Sequence, residues 1–156
     1  MIGFPFPTEP LMTKSLVRSR ATAYTHQSGR CFYCDSPMWT SNPREFALKH
    51  RITLAQAMRL QCTGEHLEAR QDGGSDSLSN IVAACWHCNQ GRHRRKEAPP
   101  PEHYKQLVRK RMSQGRWHAH WVFQRLRIGH KPGMAQTSSR TSDEQTVSGR
   151  MQPKPS

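Results

Sequence analysis

The chain has 156 residues, 24 Lys and Arg against 11 Asp and Glu, a formal net charge of +13 and a pI near 10.3. Apolar residues make up 34% and the mean hydropathy is −0.86, so the length suits one ordinary domain with tails and argues against a large hydrophobic core. No run of about 18 apolar residues is present, which excludes a membrane protein with spanning helices. A small core under this much self-repulsion needs a staple: a metal, a disulfide or a partner.

The charge is unevenly placed. Residues 1–91 hold nine Lys/Arg and seven Asp/Glu, whereas residues 92–127 hold eleven against Glu97 and Glu102, a net of +9. Residues 128–156 add a net of +2. Such a balance predicts a polyanionic partner, nucleic acid ahead of an acidic membrane surface.

In chain order, the opening MIGFPFPTEP lacks a basic stretch followed by a continuous apolar one, and its early prolines break helices. Residues 1–12 are therefore expected to be a flexible N-terminus rather than a secretory signal, and the protein to be cytoplasmic. Thr13 to Gln27 predicts a helix with Leu16, Val17, Ala21 and Tyr24 on its apolar face, ended by Gly29. Cys31 and Cys34 form a first C-x-x-C pair. A short helix is predicted over Leu54–Leu60, with Thr53 as N-cap and Gln56 closing a capping box. Residues from Cys62 alternate as a strand, and Gln71–Ser79 is a turn-rich loop around Asp72-Gly73-Gly74. Ile81–Ala84 is a short apolar strand that runs into Cys85-x-x-Cys88. A helix after Cys88 places Asn89 and His93 four residues apart on one face. Glu102–Met112 is a further helix with Tyr104, Leu107, Val108 and Arg111 as its packed side. Residues 128–156, rich in Gly, Pro, Ser, Thr and Gln, read as a disordered tail. The working domain is thus 13–127, its core 31–96 and its C-terminal extension basic and helical.

Each C-x-x-C pair lets two thiolates converge on one metal within a tight turn, and two pairs complete a tetrahedral, closed zinc site. Cys31, Cys34, Cys85 and Cys88 are the predicted ligands, with 50 residues between the pairs, so something folded must lie between them. A redox pair would want a thioredoxin-like strand context, which is absent. Cys62 reads as a small buried hydrophobe. His87, between two ligands of a full set, is expected to be exposed. His118 and His120, flanked by Trp117 and Trp121, form either a base-stacking or metal-binding patch or, as the main expectation, a packed amphipathic end with incidental histidines.

Between and beyond the pairs come Glu65-His66, Asp72-Gly73-Gly74, Asn80 fourteen residues after His66, Asn89 nine after Asn80, and His93. In order and spacing this resembles the HNH endonuclease family, in its zinc-knuckle branch, over about residues 31–96. The resemblance implies an α+β fold: a small ββα-metal finger stapled by the four-cysteine zinc, with flanking helices. It implies hydrolysis of DNA phosphodiester bonds with a divalent metal, Mg²⁺ or Mn²⁺, leaving a 3′-hydroxyl and a 5′-phosphate. It makes His66 the general base, a role that an ordinary imidazole pKa of about 6.5 suits. It makes Glu65 a metal ligand, although Glu65 and His66 point to opposite sides of an ideal strand, so that a twist or bulge must bring Glu65 to the metal. Asn80 would bridge the loop and hold the His66 strand in register without touching the metal. Asn89 stands where many relatives carry the final His. His93 reads as a further ligand, or else as a surface histidine on phosphate. Arg92 would lie against a phosphate, and Arg94, Arg95 and Lys96 would track the DNA backbone. The chain would act as a monomer or homodimer, one active site cutting one strand. The rival expectation is a non-catalytic, zinc-stapled nucleic-acid-binding module.

Overall fold

The computed structural model describes residues 13–126. The expected flexible N-terminus and disordered tail lie outside the described residues.

Helix α1 spans Lys14–His26, and its N-cap Thr13 accepts a hydrogen bond from the amide of Leu16. Its buried residues are Leu16, Ser19 and Ala23, with Tyr24 beside them; Val17 and Ala21 face outward. The buried stripe is therefore rotated from the expected one and includes a serine, because Ser19 Oγ donates to the carbonyl of Asp76 at 2.7 Å. The chain leaves α1 through Ser28 and Gly29, both at positive φ, and the Gly29 amide closes on Tyr24 O.

Helix α2, Pro43–His50, was not legible as a helix from its apolar pattern. Its signal is local: Asn42 caps the amide of Glu45, and Pro43 sits in the first turn. Helix α3, Leu54–Met58, carries the expected capping box between Thr53 and Gln56 but stops two residues short of Leu60. Together α2 and α3 fill the gap between the cysteine pairs, as the 50-residue spacing required.

Strands β1, Cys62–His66, and β2, Ile81–Cys85, pair antiparallel without a break, from Cys62↔Cys85 to His66↔Ile81. The outer edge of β2 is closed. At Ala83 the carbonyl accepts from Phe32 N and Gln27 Nε2, and the amide donates to Gln27 Oε1. Helix α4 spans Trp86–His93. It starts three residues earlier than expected because Cys85 is itself the N-cap: its backbone is extended, and its sulfur accepts from the Cys88 amide at 3.4 Å. β1, β2 and α4 make the ββα unit.

The two-stranded sheet lies between helices. Gly64 faces α1, where an added Cβ would come within 3.0 Å of Leu16, and Thr63 faces α4, where its hydroxyl accepts from Asn89 at 2.9 Å. Helix α5, Pro101–Ser113, buries Tyr104, Val108 and Met112; Arg111 is exposed, so the packed side is one residue further round than the predicted Tyr104, Leu107, Val108 and Arg111. Tyr104 closes α5 onto α4 by donating to Cys88 O at 2.8 Å. Helix α6, His120–Leu126, adds Val122 and Leu126 to the core.

The loop from β1 to β2 begins with a single 3₁₀ turn, Arg70–Asp72, and Gly73 leaves it at φ 96°. Gly74 has no room for a side chain: a Cβ would lie 1.9 Å from Glu68 O and 2.9 Å from Asn80 Nδ2. Gly74→Ala is therefore expected to destabilise the domain by about 1–3 kcal/mol, as overpacking does, seen as a lower thermal midpoint. Gly73→Ala meets no neighbour and tests only the positive φ, so its loss should be the smaller.

Candidate active site and metal centre

The first cysteine pair sits in a tight turn in which Cys31 N donates to Ser36 O and Asp35 N to Cys31 O. The second pair straddles the junction of β2 and α4. The two turns bring Cys31, Cys34, Cys85 and Cys88 together, all buried, with every Sγ within 4.8 Å of the others. A zinc ion about 2.3 Å from each of four tetrahedral sulfurs requires S···S edges of about 3.8 Å. The Cys34–Cys85 edge measures 3.8 Å. The donor set and its dimensions fit a zinc site.

The surroundings fit as well. Cys31 Sγ accepts from Cys85 N at 3.3 Å, and Cys88 Sγ from the Trp117 indole at 3.2 Å. Ser36 Oγ lies 3.2 Å from Cys34 Sγ. Such N–H groups stabilise thiolate charge. Burial opposes ionisation of Cys31, but hydrogen bonds from Cys34, Cys85 and Cys88 outweigh it and pull its pKa well below the usual thiol value. Burial pushes Cys85 and Cys88 well up. Cys62 stands apart. It is buried on β1 opposite Cys85, and burial raises its pKa to about 12.

His87 is not exposed as expected. Its Nδ1 lies 3.0 Å from Arg59 Nη2, and its ring meets those of His118 and Trp117 at 4.5 and 5.8 Å. Burial, then the Arg59 charge, lowers its pKa. His118 is buried, with its pKa pushed down to about 3, chiefly by burial. His120 is exposed at the start of α6. The Trp117–Trp121 segment is thus a packed wall of the metal centre, with Trp117 the residue that matters to it. No spacing rule singled out Trp117.

At the other end of the ribbon, alternation along β1 sends Glu65 toward α4 and His66 toward the α1 side. The register carries no bulge. The expectation that a twist or bulge must bring Glu65 to its partners is corrected: Glu65 already shares a face with Asn89 and His93, and it is His66 that lies opposite. Glu65 is 1% exposed. Its Oε1 accepts from Arg92 Nη1 at 2.5 Å and from Tyr33 OH at 3.1 Å, and its Oε2 lies 3.1 Å from His93 Nε2. Burial, then the neighbouring Glu65 charge, pushes the Tyr33 phenol up and keeps it a donor.

Arg92 does not stand on the surface against phosphate. It is 4% exposed and also donates to the carbonyls of Pro99 and His66. The correction has a simple cause: a carboxylate buried at Glu65 needs a cation, and Arg92 is one helical turn from Cys88 on the inner face of α4. Arg94, Arg95 and Lys96 are exposed in the turn after α4.

Asn89 Nδ2 donates to Thr63 Oγ1, and the amide oxygen remains the ligand-type atom. On the same face of the ribbon, Glu65 Oε2 and His93 Nε2 are 3.1 Å apart. Neighbouring ligands about 2.1 Å from an octahedral ion are about 3.0 Å apart. The pair therefore fits adjacent positions on a divalent cation.

His66 Nε2 lies 2.8 Å from Asp76 Oδ1. Asp76 also takes two bonds from Arg70 Nη2, at 2.6 and 2.7 Å, and one from Thr13 at 2.5 Å. The Thr13 hydroxyl first, then His66 and Arg70, hold its carboxyl down at about 2. Sequence reading missed Asp76; its one signal was an acidic residue in the loop between Gly74 and Asn80. Asn80 accepts from Glu68 N at 2.8 Å and donates to the carbonyls of Glu68 and Ser75, so it spans the loop. A cleft of about 810 Å³ opens between residues 67–72 and the start of α5, lined by Arg70, Gln71, His93 and Lys96 among others.

The family model of the HNH endonuclease matches residues 31–95. This segment is an HNH domain. The match contains both cysteine pairs, β1, β2 and α4; no curated protein and no solved structure matches the chain. Within the HNH domain, two sets of substitutions test the geometry. Cys85→Ser should abolish a bound metal ion and the cooperative melt, whereas Cys62→Ala should keep one metal per chain by elemental analysis. Arg92→Ala leaves Glu65 buried without its cation and should cost about 3–5 kcal/mol. Arg94→Ala should stay within about 0.5 kcal/mol of wild type in the same denaturant titration.

Proposed function

We propose that the HNH domain is a metal-dependent DNA endonuclease that hydrolyses phosphodiester bonds, with zinc in the four-cysteine site as a structural ion. The observation that carries this reading is the placement of Glu65 against His93 at one end of the ββα unit, where His93 lines the cleft, with His66 at the same end of the ribbon. Among the described residues no helix is long and apolar enough to cross a membrane. A reducing, cytoplasmic setting suits four thiolate ligands.

In this reading His66 takes a proton from water. The water oxygen bonds to phosphorus as the P–O3′ bond breaks, and the leaving 3′ oxygen receives a proton from solvent. The products are a 3′-hydroxyl and a 5′-phosphate. Glu65 Oε2, His93 and the Asn89 oxygen would hold a divalent ion, which would supply charge neutralisation at phosphorus and the leaving oxygen. An imidazole in the set favours Mn²⁺ over Mg²⁺. Arg92 pairs with the Glu65 carboxylate and fixes it, while Asn80 keeps the β1–β2 loop closed around His66. Lys96, which lines the cleft, and the exposed Arg94 and Arg95 just before it in the chain hold the DNA backbone.

Relaxation of supercoiled plasmid in Mn²⁺ and in Mg²⁺ tests the activity. Wild type should nick the plasmid, and His66→Ala should lose about 10²–10⁴-fold in rate. A wild type that leaves the plasmid intact with both metals but still binds it would mark the domain as a non-catalytic binding module. Neutralising Arg94, Arg95 and Lys96 together should lower the salt dependence of DNA binding by about three phosphate contacts.

A further inference from the structure

Asp76 is engaged by more side chains than any role assigned above requires. Its carboxylate meets His66, Arg70 and Thr13, and its backbone carbonyl accepts from Ser19. Both side chains of the pair are largely covered, with 15% of His66 and 17% of Asp76 exposed. Held at about 2, the carboxyl is ionised at neutral pH and can only accept hydrogen bonds. At 2.8 Å from it, His66 Nε2 must therefore carry the proton. Arg70 Nε is also directed at this nitrogen, but at the longer distance of 3.2 Å, while Arg70 Nη2 donates to both oxygens of Asp76 at 2.6 and 2.7 Å.

We propose that Asp76 is the positioning residue of the HNH centre: it anchors His66 through Nε2–H, so that Nδ1 is the nitrogen that accepts the water proton. This rests on the reading of His66 as the base. Thr13 and Ser19 anchor Asp76 in turn, so helix α1, outside the matched 31–95, becomes part of the catalytic apparatus. The chemistry is that of an orienting carboxylate: it selects one tautomer, fixes the ring plane and stabilises the imidazolium that forms.

The test uses the full chain with its metals. In ¹⁵N-histidine-labelled wild type, with His66→Ala supplying the assignment, His66 should show a protonated Nε2 and a bare Nδ1. Asp76→Ala should scramble that tautomer and slow single-turnover plasmid cleavage about ten- to a hundredfold, with DNA affinity and zinc content unchanged. Asp76→Glu should restore part of the rate. Should Asp76→Ala not melt cooperatively, Asp76→Asn, which keeps the volume, takes its place. A bare Nε2 in wild type overturns the proposal, as does a full cleavage rate in a folded Asp76 variant. If His66→Ala itself cuts as fast as wild type, the base assignment falls and the proposal with it. If His66→Ala is inactive while the Asp76 variants keep full rate, only the positioning role falls.

Discussion

Everything in the HNH domain depends on four sulfurs meeting at one point. Cys31 and Cys34 lie at the start of the domain, and Cys85 and Cys88 at the seam of β2 and α4. Closing them into one site fixes the ends of a long loop whose own helices, α2 and α3, are short. Structural zinc binding is worth about 10–16 kcal/mol in small domains, against a whole-domain stability of about 5–15 kcal/mol. A metal in this site would therefore decide whether a chain of this composition folds. The apolar core agrees, since it is built around the sulfurs: Tyr33, Tyr104 and Trp117 pack edge-on against one another beside them.

The same seam orients the chemistry. Cys85 ends a strand and caps a helix at once, so the direction of α4 is set by the residue that would bind the metal. That places Arg92 and His93 against Glu65, and Asn89 against Thr63. A carboxylate buried here needs a cation; Arg92 supplies it and leaves the second oxygen toward His93. The pair contributes less to net stability than its short distance suggests, because both charges have left water. Its value lies in the fixed geometry.

The positive charge divides into two uses. Arg92 is internal and balances Glu65, whereas Arg94, Arg95 and Lys96 remain in solvent, with Lys96 lining the cleft. Arg70 is a third case, with its guanidinium on Asp76 at the rim of that cleft. A run of basic residues in sequence is thus not a single surface.

Much of this was legible from residue order alone. The C-x-x-C pairs picked out the four cysteines that meet as a candidate metal site, because two thiolates within one tight turn have few other uses. The Thr53 capping box and the positive-φ glycine after α1 were legible because they are local. The spacing of Glu65, His66, Asn80 and Asn89 pointed to the HNH family because one strand, one loop and one helix turn fix those intervals. Tertiary structure alone decided that Arg92 turns inward, that Glu65 and not His66 faces α4, that His87 packs against His118, and that Asp76 holds His66. Those outcomes depend on which face of a strand or helix meets which neighbour. A rotation of one residue reverses them, and short amphipathic elements with few large apolar side chains carry too weak a pattern to set that rotation in advance.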